Sequence, residues 1–246
     1  SVGTLVGHPH WLRESGAFLL TRPTSSGGND GSSANGASAS CFWEDSARDV
    51  AARLFLPQDF VVPIPSRFQD SNQNTSQAHN FLRPRLAFFA GSMNSCARRM
   101  LLHHHGWHHH GDVMVSSRIL ASRKYRQVML TTKWCLVLRG VGTANTVRLY
   151  DAVAHGCVPV VVSDDFHPPL EGLDWRSVAI FLPTASLQDV IKILRDIPEV
   201  VREGYFRHVL KARALLDWNR PMYWQDILGG VSERLRGQSP EHTQAR

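Results

Sequence analysis

The residues best placed to do chemistry lie around two turns. "RGVGTANT" (Arg139–Thr146) joins an apolar run, "KWCLVLRG", to a helix-like run, "TANTVRLYDAVAHG". Gly140 and Gly142 permit a tight turn and close backbone approach. Asn145 and Thr146 set an amide and a hydroxyl where the helix begins, beside N–H groups that carry partial positive charge. That setting suits a phosphate or pyrophosphate. Arg148, one turn in, offers a guanidinium to an oxyanion, and Asp151 follows three residues later on the same helical face. An ordinary capped helix with an internal Arg–Asp surface pair has the same pattern, and the residues alone weigh the two alike. The second turn, "SDD" (Ser163–Asp165), closes the run "VPVVV". Ser163 and Asp164 suit the hydroxyls of a ribose or another sugar; the competing reading is a solvated turn before "FHPPLEG".

Other chemistries fit poorly. The 139–146 turn lacks the Gly-Lys-Ser/Thr ending of a nucleotide-binding P-loop. "GVGTAN" puts Asn145 where a dinucleotide fingerprint needs a third small residue, so a dehydrogenase-like site with Asp164 as its acidic residue is a minor alternative. There is no HExxH motif and no assignable Ser-His-Asp set. Six histidines crowd into His103–His110. A low-complexity tract rarely converges several imidazoles on one ion, so adventitious chelation is expected there and no metal cofactor. The four cysteines, Cys41, Cys96, Cys135 and Cys157, contain no CxxC pair, which disfavours a zinc site and a disulfide-knotted scaffold. Cys135 and Cys157, each beside an expected strand, read as small buried apolar residues, with a single disulfide as the alternative.

The net charge is +6, which admits phosphorylated or polyanionic ligands. The positive residues are scattered apart from "RPR" and "SRKYR". With no zinc-finger spacing, RNA-binding aromatic motif or long basic helix, nucleic acid is not an expected partner. No apolar run is long enough to span a bilayer.

The elements that must position these residues change character at Pro84. Residues 1–83 hold two polar stretches, "TSSGGNDGSSANGASAS" (24–40) and "QDSNQNTSQAHN" (69–80), which are expected to be loops. They read as a short, incomplete N-terminal domain with one strand at "DFVVP". From 84 to about 230, short apolar runs alternate with helical ones. "RLAFFAG", "DVMVSS", "KWCLVLRG", "VPVVVSD" and "SVAIFLP" read as strands; "CARRMLLHHH", "SRKYRQVMLTT", with Ser122 as its candidate cap, and "PEVVREGYFRHVLKARALLDW" read as helices. "SLQDVIKILRDI" adds a helix with a capping box from Ser186 to Asp189. The alternation predicts an α/β, doubly wound, Rossmann-like domain with a mostly parallel sheet. Residues 231–246 read as a disordered tail.

Laid out in order, these segments resemble the exostosin-like glycosyltransferases (glycosyltransferase family 47). "FFAG", followed by an arginine that is Arg98 or Arg99 and then leucines, resembles the family's Phe-Ala-Gly…Arg-x-x-Leu. "YRQVMLTTKWCLVLRG" resembles its Tyr…Met…Ser-Lys-Phe-Cys-Leu-x-Pro-x-Gly strand. "NTVRLYDAVAHGCVPVVVSDD" resembles Ser-x-Arg-Leu-x-Asp/Glu-Ala-Ile-x-x-Gly-Cys-Ile-Pro-Val-Ile, and "LDWRSVAIFLP" the segment after it. "DFVVP" and "HPHWLRESGA" resemble upstream signatures. The match covers about 8–230 and is strongest from 85 to 185.

The resemblance implies a GT-B fold of two Rossmann-like domains and transfer of a sugar from a UDP-sugar to a glycan, with inversion and without metal or other cofactor. It implies a donor site of Gly91, Arg98, Gly140, Gly142, Asn145, Thr146, Arg148, Asp151, Ser163 and Asp164. In that site Arg148 faces the diphosphate, and Asp151 lies near the ribose or orders Arg148. The motifs do not identify the general base; Asp59, at the end of "DFVVP", is the candidate. The implied partners are a nucleotide sugar and a glycan or polysaccharide acceptor. The implied location is the Golgi lumen, as a type II membrane protein anchored through a segment outside this sequence. The departures fall mostly on the acceptor side. "ESGAFLL" lacks the Arg-Asp-His that follows Ser-Gly-Gly in the family, Arg139 replaces a proline, and Val141 stands where an Asp is common. A family member that binds nucleotide or glycan without turnover is therefore the alternative.

Overall fold

In a computed structural model, the described residues are 63–66, 82–105, 111–140, 144–164, 166, 168–170 and 173–217, with 225, 228, 229 and 232. They lie in one compact unit, 38–246. The loops expected at 24–40 and 69–80, the strand "DFVVP" except its Pro63, and all of the expected tail except Ser232 fall outside them.

Five strands form one parallel sheet: β1 (Arg85–Ala90), β2 (Val113–Ser116), β3 (Thr132–Leu138), β4 (Val158–Val162) and β5 (Ile180–Leu182), in the order β2-β1-β3-β4-β5. The α/β, Rossmann-like class expected from the alternation is therefore what the chain adopts. Its physical cause is the composition of the strands. "FFA" of β1, "WCLVL" of β3 and "VPVVV" of β4 are buried at every position, as strands covered on both faces must be. Register is fixed by pairs such as Ala87↔Trp134, Phe88↔Cys135 and Val160↔Ile180.

The helices are α1 (Cys96–His105), α2 (Ser122–Leu130), α3 (Val147–Ala154), α4 (Trp175–Val178), α5 (Val190–Asp196) and α6 (Glu199–Leu215). The chain leaves β1 leftward through α1 to β2 and returns through α2 to β3. With right-handed crossovers, α1 and α2 must then cover opposite faces. Tyr125, Val128 and Met129 of α2 and Ala152 of α3 pack into one cluster with Phe88, Ala90, Cys135 and Cys157. Helix α3 stops as its sequence dictates. Gly156 takes φ 65°, its N–H bonds to the Val153 carbonyl at 3.0 Å, and the Cys157 N–H reaches the Ala152 carbonyl at 2.9 Å. This is the two-bond left-handed cap that glycine permits.

Four local expectations are corrected. Cys135 and Cys157 are not free apolar residues but a disulfide, with a Cα–Cα distance of 5.8 Å and a separation of 22 residues. It ties β3 to the entry of β4, and closing a loop of that length contributes about 3 kcal/mol. Cys96 is disulfide-bonded as well, to a partner outside the described residues. Ser186 does not open a capping box. Residues Thr184–Gln188 form a 3-10 turn, and α5 begins after Asp189, whose side chain makes no cap bond. The run "SVAIFLP" is not all strand: Ser177 and Val178 belong to α4, capped by Asp174 accepting from the Arg176 N–H at 3.2 Å. Ser122 is inside α2, and Ala121 takes the cap position.

Candidate active site

The strand order reverses direction between β1 and β3. In open α/β sheets the crevice at that switch, outside the carboxyl ends, is where ligands bind. Two arginines converge there. Arg98 comes from the first turn of α1 and is buried, whereas Arg99 points outward. Its Nη1 donates to the Ser92 carbonyl at 3.2 Å and to Asn94 Oδ1 at 3.0 Å, and its Nη2 to the Leu138 carbonyl at 3.1 Å. All three acceptors are neutral. Arg148, from the first turn of α3, donates to the Ala90 carbonyl. Both guanidiniums share the Phe89 ring, with Cζ 5.7 Å from its centroid for Arg98 and 4.3 Å for Arg148. Burial, and then the charge of Arg148, pushes the Arg98 guanidinium down to about 10, with the Tyr125 phenol opposing. Two cations held together over one ring make a place that an anion would stabilise.

The glycines of the two strand ends act through these arginines. A Cβ on Gly91 would stand 2.5 Å from Arg148 Nη2, and one on Gly140 would stand 3.1 Å from Arg98 Nη2. Each glycine is thus the gap through which a guanidinium crosses a strand end. The loop between β1 and α1 is pinned to β3 by Ser95 Oγ, which donates to the Arg139 carbonyl at 2.9 Å. At the N-terminus of α3, Thr146 is the cap residue in extended conformation but makes no side-chain cap bond. Its Oγ1 is buried without a hydrogen-bond partner among the described residues, as is Arg98 Nε. Asn145 Oδ1 accepts from the Tyr150 hydroxyl at 2.5 Å, which anchors the turn to the helix.

The structure brings together Gly91, Arg98, Gly140, Asn145, Thr146 and Arg148 around this switch. Gly142 and Asp59 lie outside the described residues. Asp151 does not sit at the surface of the crevice: it is fully buried, and its Oδ1 accepts from Ser66 Oγ at 2.8 Å. This bond fastens the 63–66 segment to α3. Asp164, at the end of β4, accepts from the Thr184 N–H at 2.9 Å, so one of its oxygens ties β4 to the turn after β5. Ser163 stands beside it, half-buried, its N–H on the Leu182 carbonyl at 3.0 Å. Phe89, Ser92, Asn94 and Ser95 were not singled out from the sequence. The polar run "GSMNS" directly after a buried strand was the available signal. Of the histidine tract, His103–His105 end α1, and His105 Nε2 lies 2.8 Å from the Leu187 carbonyl. Among the described residues no group of three or more His, Cys, Asp or Glu side chains is arranged to hold a metal.

The comparison with known families decides what this sheet belongs to. The exostosin GT47 domain model matches residues 2–197. The chain is a member of the exostosin GT47 family. It is 30% identical over 146 residues to a "probable glycosyltransferase" of Arabidopsis thaliana, covering 59% of this chain and 28% of that protein. It is 34% identical over 104 residues to exostosin-2 of Homo sapiens, covering 42% of this chain and 13% of that protein. A "probable arabinosyltransferase" of Arabidopsis thaliana is 34% identical over 97 residues, 38% of this chain and 22% of that protein. The exostosin-family chain thus spans less than a third of the length of each of these relatives. Its Arg98–Phe89–Arg148 cluster lies inside the matched region.

Proposed function

We propose that this domain is the donor-binding part of a glycosyltransferase that moves a sugar from a UDP-sugar to a glycan hydroxyl, with inversion. The observation that carries the proposal is the pair of guanidiniums over Phe89 at the β1/β3 switch point. Displacement of the sugar leaves negative charge on the diphosphate, and fixed positive groups aimed at that charge lower the barrier. Arg98, Arg148 and the N-terminus of α3 supply such groups without help from a metal ion. Gly91 and Gly140 give the two guanidiniums their passage to the phosphates, and we assign Gly142, in the turn before α3, to the same phosphate site. Asn145 and Thr146 offer them hydrogen bonds, Thr146 Oγ1 being already buried with no other partner among the described residues. Ser163 and the second oxygen of Asp164 lie at the end of β4, in reach of sugar hydroxyls on a donor laid across the strand ends. Asp151 supports α3. The attacking hydroxyl needs a general base, and Asp59 is the residue we assign to that role.

The proposed location is the lumen of the Golgi, with anchorage through a segment outside this sequence. Support comes from the Cys135–Cys157 disulfide and from the disulfide at Cys96, because such bonds persist in oxidising compartments. Among the described residues no helix is long and apolar enough to cross a membrane. The test is incubation of the purified chain with a panel of UDP-sugars and oligosaccharide acceptors, with and without EDTA. Products are read by mass spectrometry and their anomeric configuration by NMR. One donor should give product of inverted configuration, indifferent to EDTA. UDP binding without product from any donor would establish the binding-only reading that the missing Arg-Asp-His in "ESGAFLL" favours. No UDP binding would sink both.

A further inference from the structure

The loop that leaves β1, "GSMNS" (Gly91–Ser95), carries one exposed amide side chain, that of Asn94. Its Oδ1 accepts from Arg98 Nη1 at 3.0 Å. A guanidinium has only N–H groups to offer, so it fixes which way the amide is turned: the oxygen faces Arg98 and the Nδ2 amino group faces away. The Asn94 side chain makes no other hydrogen bond among the described residues. Two N–H donors therefore stand open at the carboxyl end of β1, beside the switch point. Arg98 itself is only 6% exposed. Its Nη1 is divided between Asn94 and the Ser92 carbonyl, and its Nη2 is held by the Leu138 carbonyl. A cation bonded to an amide oxygen draws electron density from the amide and makes its N–H groups stronger donors. Asn94 is thus the exposed end of a buried cation.

The surroundings decide what these donors suit. Arg148 lies over the same Phe89 ring as Arg98, so two positive charges stand behind the amide. From Ser71 to Tyr150 the only acidic residue is Asp112. It precedes β2 at the opposite edge of the sheet and is bonded to Arg195. Open donors backed by two cations, with no carboxylate in their own segment, suit an anionic oxygen better than the neutral carbonyl of a base. We propose that Asn94 is a further substrate-contacting residue, whose Nδ2 donates to a phosphate oxygen of the nucleotide sugar while Arg98 holds and polarises it from behind. This contact rests on the donor-site reading above and adds to it an exposed donor.

Asn94→Asp keeps the size of the side chain and an oxygen toward Arg98, and replaces the donor by an anionic oxygen. In calorimetry with UDP, Asn94→Asp should lose about a hundredfold in affinity and Asn94→Ala about tenfold. Uridine, which has no phosphate, should bind all three chains alike. A residue that only holds Arg98 in place predicts the reverse order, because Asp gives Arg98 a charged partner and Ala gives it none. The second readout is made on the unaltered chain. The Asn94 amide proton pair, identified in proton–nitrogen NMR spectra by its loss in Asn94→Asp, should move downfield on addition of UDP and stay in place on addition of uridine. Equal UDP affinity in the three chains, tighter binding by Asn94→Asp than by Asn94→Ala, an equal loss for uridine, or an unmoved amide pair would each overturn the contact and leave the donor site standing. An unaltered chain that binds no UDP would overturn both.

Discussion

Two phenylalanine rings, one at each edge of the sheet, are each shared by a pair of arginines. At the carboxyl edge Phe89 lies under Arg98 and Arg148. At the amino edge Phe206 lies under Arg83 and Arg202, with Cζ 5.1 and 5.6 Å from its centroid. In both pairs a buried guanidinium is pushed down to about 10, first by burial and then by its cationic neighbour. The pairs differ in what answers their charge. Arg83 is spent on three main-chain carbonyls, those of Met129, Thr132 and His155, at 2.8–2.9 Å, and Arg202 has Glu199. Arg98 has only neutral oxygens, and it stands where the strand order reverses. An arginine pair is therefore not a site by itself. What sets the upper pair apart is its place, at the switch point where the strand order reverses.

Breaking the lower pair should have the larger effect on stability. Arg83→Met removes the buried donor that three main-chain carbonyls share, and a loss of about 3–5 kcal/mol is expected in urea unfolding with an unchanged slope. A loss below about 1 kcal/mol would mean that Arg83 does not stitch this edge together. The upper pair should respond in ligand affinity instead. Gly91→Ala drives a methyl against Arg148 and should weaken UDP by about tenfold with the fold intact. Gly140→Ala, with its wider 3.1 Å approach to Arg98, should weaken it less. The reverse order would show that Arg98, not Arg148, makes the principal contact.

The smallest effect is in the pH dependence of the lower edge. Burial pushes the Glu199 carboxyl up, but the hydrogen bonds and charges of Lys133 and Arg202 outweigh it and hold the group below its usual 4.5. A lowered pKa in the folded state means that this contribution is present above pH 4.5 and is lost as pH falls through the folded value. Because Glu199 is half exposed, the amount is under about 1 kcal/mol. Glu199→Gln should flatten that part of an acid unfolding curve, and an unaltered curve would place the titration elsewhere.

The sheet was legible because its strands are continuous apolar runs of β-branched and aromatic residues, and Gly156 announced the end of α3 because glycine takes a positive φ without steric cost. The disulfide was harder to read, since two cysteines 22 residues apart approach only once β3 and β4 pair in register. The site was half legible. Arg148 and the glycines could be found, because a turn between strand and helix is local in sequence. Phe89 and the role of Ser66 could not. The first is an ordinary core residue until two arginines cross it, and the second bonds a residue 85 positions away. The bond of Ser66 to Asp151 was hidden for the same reason: spacing along α3 relates Asp151 to Arg148 but says nothing of a segment so far away in sequence.

Calorimetry of UDP against the full chain and its Arg148→Ala variant tests the central claim most directly. With Arg148 as a diphosphate contact at the β1/β3 switch, the original chain should bind UDP and the variant should lose at least about tenfold in affinity while its melting temperature moves by only a few degrees. Equal affinity in the two chains would contradict the placement of the donor site at this edge of the sheet.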